Sequence, residues 1–196
     1  MTQIRSKSKQ RIIDIAFEHF VLNGYEGTSI GAIADSVGIR KASIYTHFKS
    51  KDEIFLQVLQ DALNKECEYL EACFANHNIH DLPGTKYLRE LKSRYETAIT
   101  SQFLTRIAYV PPSHLINEVT FTYQKYIEKL VELYLSQLKY LNLSADKNEI
   151  LKDAYLGIFD SLSVELLYDG RMYERRINAM LYLYNSSIQD LQCCNK

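Results

Sequence analysis

Glycine and proline are scarce in this chain, seven and three among 196 residues. With so few breakers and no run of alternating apolar and polar residues, the pattern excludes a sheet protein and leaves long helices. No apolar stretch approaches the roughly 20 residues that cross a bilayer. The basic, polar N-terminus has no apolar segment behind it, so the chain is expected in the cytoplasm. The four cysteines follow no disulfide framework: Cys67 and Cys73 sit in a helical pattern and Cys193 and Cys194 are adjacent, which favours free thiols. Also missing are a glycine-rich phosphate loop, an H-E-x-x-H pair, a nucleophile elbow and a convincing pair of catalytic carboxylates. An enzyme is therefore not expected, and no cofactor is implied.

What is present is a hydrophobic content of 46% beside 24% charged residues, the balance of an ordinary folded protein. The formal net charge of -1 conceals a segregation. Met1 to Lys51 carries eight Lys or Arg against four Asp or Glu, and the remainder carries fifteen against twenty. A basic first part joined to an acidic larger part points to a polyanion met by the first fifty residues alone.

Apolar residues three and four apart predict an all-α fold of about nine helices. A first helix runs over Ser8–Leu22 and stops at Asn23–Gly24; a second short one, with Thr28 as its cap, ends at Gly38; a third spans Arg40–Phe48. Ser50, with Glu53 three residues on, forms a capping box for a long fourth helix reaching Ala75. Beyond it, helices are expected over Thr85–Thr100, Gln102–Tyr109, Ser113–Tyr140, Asp146–Tyr168 with Asp146 and Glu149 as capping box, and Tyr173–Leu191. Pro111 and Pro112 separate two of these, and Gly170 marks a turn. The domains divide at the fourth helix, into 1–51 and 52–196, with no flexible linker.

The cations cluster in "GIRKASIYTHFKSKDEIF", residues 38–55. Ala34, Gly38 and Ile44, supported by Ile33, Val37 and Ile39, have the spacing of two short helices crossing steeply about a tight turn. This helix-turn-helix arrangement puts Arg40, Lys41 and Ser43 on the front turn of the second helix, where base edges in a DNA major groove are reached. Tyr45, His47, Lys49 and Lys51 follow at its far end, placed for phosphates.

These residues resemble a known family. "IIDIAFEHFVLNGYEGTSIGAIADSVGIRKASIYTHFKSKDEIF" is similar to the N-terminal domain of tetracycline-repressor-type (TetR-family) transcriptional regulators, a likeness covering residues 8–56, about a quarter of the chain. The resemblance implies a two-fold dimer whose recognition helices enter successive major grooves of an operator, with Thr28 or Ser29, Tyr45, His47 and Lys51 on phosphates. Arg40 departs from the family, which often has a small hydroxyl residue there. The resemblance also implies a C-terminal domain that binds a small molecule and pairs two copies of the chain.

Thirteen of the fifteen tyrosines follow Lys51. Tyr95, Tyr109, Tyr123, Tyr126 and Tyr155, with Phe103, Phe121 and Phe159, suit either a packed core or a partly polar pocket for a largely apolar or aromatic effector. Ala154, Gly157, Ile158, Ser161 and Leu162, then Ile177, Met180, Leu181 and Tyr184, allow close helix packing. That packing is either internal to the domain or, as the family resemblance implies, a four-helix dimer interface. Two rival readings stay open: a metal-responsive regulator using Cys73, His77 and His80, and a DNA-binding helical protein that organises chromosome or division machinery. In neither reading is a membrane a partner.

Overall fold

The computed structural model describes residues 5–75 and 81–193, and among them it is all helix: nine α-helices, two 3-10 turns and no strand. The helices are α1 (Lys7–Asn23), α2 (Ile30–Val37), α3 (Lys41–Ile44), α4 (Lys51–Ala75), α5 (Thr85–Thr97), α6 (Ile99–Tyr109), α7 (Ile116–Leu138), α8 (Ala145–Leu167) and α9 (Tyr173–Cys193). They form two compact units that interleave along the chain. The first comprises Met1–Lys65 and Gln102–Tyr123, the second Glu66–Ser101 and Gln124–Lys196.

In the first unit, Ile12, Ile13, Ala16 and Phe20 of α1 close against Ile33, Ala34 and Val37 of α2, Ile44 of α3 and Ile54, Phe55 and Val58 of α4, all buried. Phe55 centres this core. Its ring meets Phe20 and Tyr25 edge-on at 5.2 Å each and Phe103 of α6 at 5.8 Å. Burying such a ring contributes about 1.5–3 kcal/mol, and each edge-to-face pair adds about 0.5–1.5 kcal/mol.

Local signals set most boundaries. Ser6 caps α1, accepting from the Lys9 amide, and Ser50 caps α4, its Oγ accepting from Glu53 N at 3.2 Å; the Glu53 carboxylate reaches past the cap to Lys49 N at 2.7 Å instead of returning to Ser50 N, so only the Ser50 half of the expected box forms. Three further expectations are corrected. The cap of α2 is Ser29, which accepts from Ala32 N, because Thr28 turns inward. The third helix is one turn, with residues 45–47 continuing as a turn rather than as helix. Asp146 lies inside α8 behind Ser144, and Glu149 pairs with Lys152 instead of closing a box. A further break at Ala98, in extended conformation, separates α5 from α6. There the Thr100 hydroxyl donates to the buried Glu66 carboxylate, which also accepts from Arg94 Nη2 at 2.7 Å.

The second unit is built on buried tyrosines whose hydroxyls are hydrogen-bonded. Tyr155 donates to Gly84 O at 3.1 Å and Tyr173 to Leu88 O at 2.6 Å. Tyr134 and Tyr184 share a bond of 2.6 Å, and whichever of the two accepts it has its own proton for a carbonyl, Leu151 O or Pro83 O respectively. A buried phenol without such a partner would cost about 1–3 kcal/mol, so these carbonyls are what admit the rings to the core. Gly84 is required there. Its φ is +72°, and a Cβ on it would stand 2.3 Å from the Tyr155 ring.

Gly84→Ala is therefore expected to lose about 1 kcal/mol or more from the left-handed backbone and about 1–3 kcal/mol more from overpacking. Gly38→Ala, with the same sign of φ but nothing within 4 Å of its Cβ, should lose the backbone part only. Thermal unfolding of the two variants checks this; equal losses would refute the steric account of Gly84.

Candidate nucleic-acid interface

The turn between α2 and α3 is held by Gly38, in left-handed conformation (φ 78°, ψ 34°), whose amide bonds Ala34 O at 3.0 Å and Asp35 O at 3.1 Å. The Ile39 amide also bonds Ala34 O at 3.0 Å. A β-carbon at residue 38 would disfavour that backbone, which is why glycine stands at the corner. Arg40 then occupies the cap position of α3 in extended conformation, and Ser43 N closes the first turn on Arg40 O at 2.8 Å. Ile44 and Phe48 anchor the segment from below.

The result is an outward row of chemistry. Arg40, Lys41, Tyr45 and Lys49 are exposed and Ser43 and His47 are half-buried. None of the side chains of Arg40, Lys41, Tyr45, His47 and Lys49 is ion-paired or hydrogen-bonded to another described residue. Although the Glu53 carboxylate sits on the Lys49 amide, cations whose side chains carry no ion pair on a rigid turn set up a positive potential that suits phosphate and base-edge acceptors. Lys9 of α1 adds a further cation, its ammonium 4.8 Å from the centre of the Phe48 ring between His47 and Lys49. Only the polar face of the first helix hints at it in the sequence, because nothing local ties residue 9 to residue 48.

Two of the residues expected on phosphates are otherwise engaged. Thr28 is 2% exposed, and its hydroxyl lies 2.7 Å from Gly24 O and 3.0 Å from His19 O. This corrects the expectation for Thr28: the hydroxyl serves the turn after α1 and is unavailable to a ligand, whereas Ser29 is exposed and keeps its proton. Lys51 donates to Tyr25 O at 2.9 Å and Thr28 O at 3.0 Å, with its ammonium 3.9 Å from the centre of the Tyr25 ring. It acts first as a brace beneath the start of α2. Beside it the Tyr25 hydroxyl donates to Asp52. That bond, opposed by partial burial and aided by His114 and the Lys51 charge, holds the Asp52 carboxyl below the usual range, while burial and the same bond push the Tyr25 phenol up.

The other candidate residues divide between the units. Phe103 is core of the first unit, where Tyr109 and Phe121 are exposed and Tyr123 is half-buried. In the second unit Tyr95 is half-buried and Tyr126, Tyr155 and Phe159 are core, with Tyr87 bonded to Tyr126 and stacked on Phe159 at 6.1 Å. Of the nine residues read as close-packing, Leu162, Ile177, Leu181 and Tyr184 are buried within their own unit. Ala154, Gly157, Ile158, Ser161 and Met180 stay at its surface, and Ala154, Ile158 and Met180 join Ile150 and Leu183 along an apolar groove of about 190 Å³. A more polar open cleft of about 510 Å³ lies among Thr85, Arg89, Asn178 and Asn185.

The buried thiol of Cys73 donates to Glu90 Oε2 at 3.3 Å, and burial pushes it up to about 11. His77 and His80 lie outside the described residues. Among the described residues no three His, Cys, Asp or Glu side chains are placed to hold a metal ion, and no helix is long and apolar enough to cross a membrane.

Comparison with known proteins places this geometry. Residues 12–58 match the family described as bacterial regulatory proteins, tetR family. The chain is 39% identical over 62 residues to the biofilm operon icaADBC HTH-type negative transcriptional regulator IcaR of Staphylococcus epidermidis, a stretch covering 32% of this chain and 34% of the relative. The match thus spans about a third of that protein's length. A tetR-family transcriptional regulator from Streptomyces coelicolor superposes with a TM-score of 0.73 at 15% identity, over 99% of this chain and 85% of that one. The regulator FadR of Bacillus subtilis, solved with stearoyl-CoA, does so with a TM-score of 0.61 at 17% identity, over 93% and 96%. At such identities the two structures establish likeness of fold. The relatives named here are transcriptional regulators, none of them an enzyme.

The low-lying Asp52 carboxyl stabilises the fold at pH values above the ordinary aspartate range, near 3.9, and that stabilisation disappears as pH falls through its folded value. Asp52→Asn should therefore melt below wild type at pH 6, with the gap closing as pH drops under about 4. A gap independent of pH, followed by calorimetry from pH 6 to 3, would contradict the assignment.

Proposed function

We propose that this chain, whose residues 12–58 match the tetR family, is a dimeric, ligand-responsive repressor of transcription working in the cytoplasm on a palindromic operator. Residues 1–51 form the DNA-binding domain in this reading, and residues 52–196 sense the effector and pair the subunits. The observation that carries it is the set Arg40, Lys41, Tyr45 and Lys49: exposed, with side chains free of ion pairs, and mounted on a glycine corner within the stretch that matches the family.

Arg40, Lys41 and Ser43 read base edges in the major groove, and Ser29, Tyr45, His47 and Lys49 hold phosphates. Lys51 retains one N–H beyond the two it gives to carbonyls, enough for a phosphate as well as for its brace. Two copies pair through the apolar surface of α8 and α9, where Ile150 and Leu183 are 60% and 64% exposed. Exposed aliphatics in a continuous groove favour a covering partner of the same kind.

The effector is a small, largely apolar or aromatic molecule received in the second unit. Tyr87 contacts both Tyr126 and Phe159 there, so entry would separate rings that are packed in this conformation. A ligand that binds the opened arrangement better lowers DNA affinity by no more than that difference. Support for a sensor comes from fold likeness to FadR, which was solved with stearoyl-CoA.

Selection of bound sequences from random duplexes by the full chain should recover an inverted repeat, and a compound screen against that complex should find molecules that dissolve it. Recovery of no preferred sequence would refute the reading. On the recovered site, Lys41→Ala and Ser43→Ala should alter base preference, at a cost of about 1–3 kcal/mol for each well-formed bond to a base edge. Lys49→Ala should weaken all duplexes alike and reduce the slope of log affinity against log salt by about 0.9 for every phosphate the lysine neutralises. Equal losses on selected and random DNA would remove Lys41 and Ser43 from the reading set.

A further inference from the structure

Three side chains far apart in the chain converge in the first unit. His114 sits in the 3-10 turn Ser113–Leu115, directly after Pro111 and Pro112 and ahead of α7. Its Nε2 is 3.2 Å from the Tyr25 hydroxyl and 3.4 Å from Asp52 Oδ1, and its ring lies 5.1 Å from that of Tyr25. Because the phenol gives its proton to Asp52, the remaining donor in the trio is the imidazole N–H. The turn that carries it is firmly seated: Leu115 N bonds Pro112 O at 2.9 Å, and Leu115 and Val119 are buried. The imidazole itself is about half exposed, so it fills no core volume.

The other side of Tyr25 leads to the DNA-facing residues. Its ring and its carbonyl both hold the Lys51 ammonium, which in turn holds Thr28 O, and the next residue is Ser29, the cap of α2. A contact at His114 is therefore relayed in three steps to the start of the helix that supports α3. We infer that His114 is a positioning residue for DNA binding: by donating to the Tyr25–Asp52 pair it fixes Tyr25, and through Lys51 it fixes where α2 and α3 present their reading face. The inference rests on the DNA-binding reading above. It adds that the head of α7, and not α4 alone, sets operator affinity.

The test uses the full chain and the duplex that wild type selects, with folded fraction followed by thermal melting. His114→Ala should weaken binding by about tenfold, the size expected when one charge-assisted hydrogen bond is removed. The salt slope should stay at the wild-type value, since the phosphates are still neutralised by the same cations. His114→Gln, which returns an N–H near the Nε2 position, should restore affinity to within about threefold. In the background of Asp52→Asn, His114→Ala should weaken binding by less than threefold, because the two act through one pair. Binding by His114→Ala within twofold of wild type overturns the inference, as does failure of His114→Gln to rescue, a reduced salt slope, or full additivity with Asp52→Asn. Wild type that selects no sequence overturns the DNA-binding reading itself, and this inference with it.

Discussion

The Lys51 ammonium, bonded to the carbonyls of Tyr25 and Thr28 and lying over the Tyr25 ring, is the contact on which the proposed DNA-binding end of the chain depends. Those carbonyls belong to the turn after α1, where regular helix has ended and backbone acceptors need other donors. A charged donor to such acceptors contributes about 1.5–3 kcal/mol, more than an exposed ion pair supplies. By closing residues 25–28 the lysine sets where Ser29 begins α2, and α2 in turn carries the Gly38 corner and α3. The proposed reading face is thus the outer end of a chain of constraints that starts on α4.

Order in the second unit has a different source. Its interior is aromatic, and each buried phenol is matched to a backbone carbonyl or to another phenol, as with Tyr155 on Gly84, Tyr173 on Leu88 and Tyr134 with Tyr184. Such a core is directional as well as apolar, so moving one ring leaves a buried hydroxyl or carbonyl to be satisfied elsewhere. Buried Glu66, satisfied by Arg94 and Thr100, adds an ionic knot among α4, α5 and the first turn of α6. Removing one partner of such a knot leaves an uncompensated charge, which makes it a strong constraint on local geometry.

Features written in contiguous residues were legible in the sequence. The Ser50 cap of α4, the left-handed glycine at 38, the proline break after Tyr109 and the apolar stripe of α1 each follow from local stereochemistry, and all appear in the fold. Features decided by distant partners were not. Thr28 has the chemistry of a cap, but the carbonyls of His19 and Gly24 claim its hydroxyl and Ser29 takes the role. Asp146 and Glu149 have box spacing, yet Lys152 attracts Glu149 away. Periodicity places Tyr155 and Phe159 on an inward stripe without saying whether they line space or fill it. His114 offers no motif at all; its meaning comes from meeting Tyr25 and Asp52, 89 and 62 residues away.

The central claim is that the front turn of α3 lies in the major groove. Methylation interference on the operator tests it most directly, because N7 of guanine faces that groove and N3 of adenine faces the minor one. Interference at guanine N7 in two patches about one helical turn apart, roughly 34 Å, is the predicted result. Interference confined to adenine N3, or none at guanine N7 in either half of the site, would contradict it.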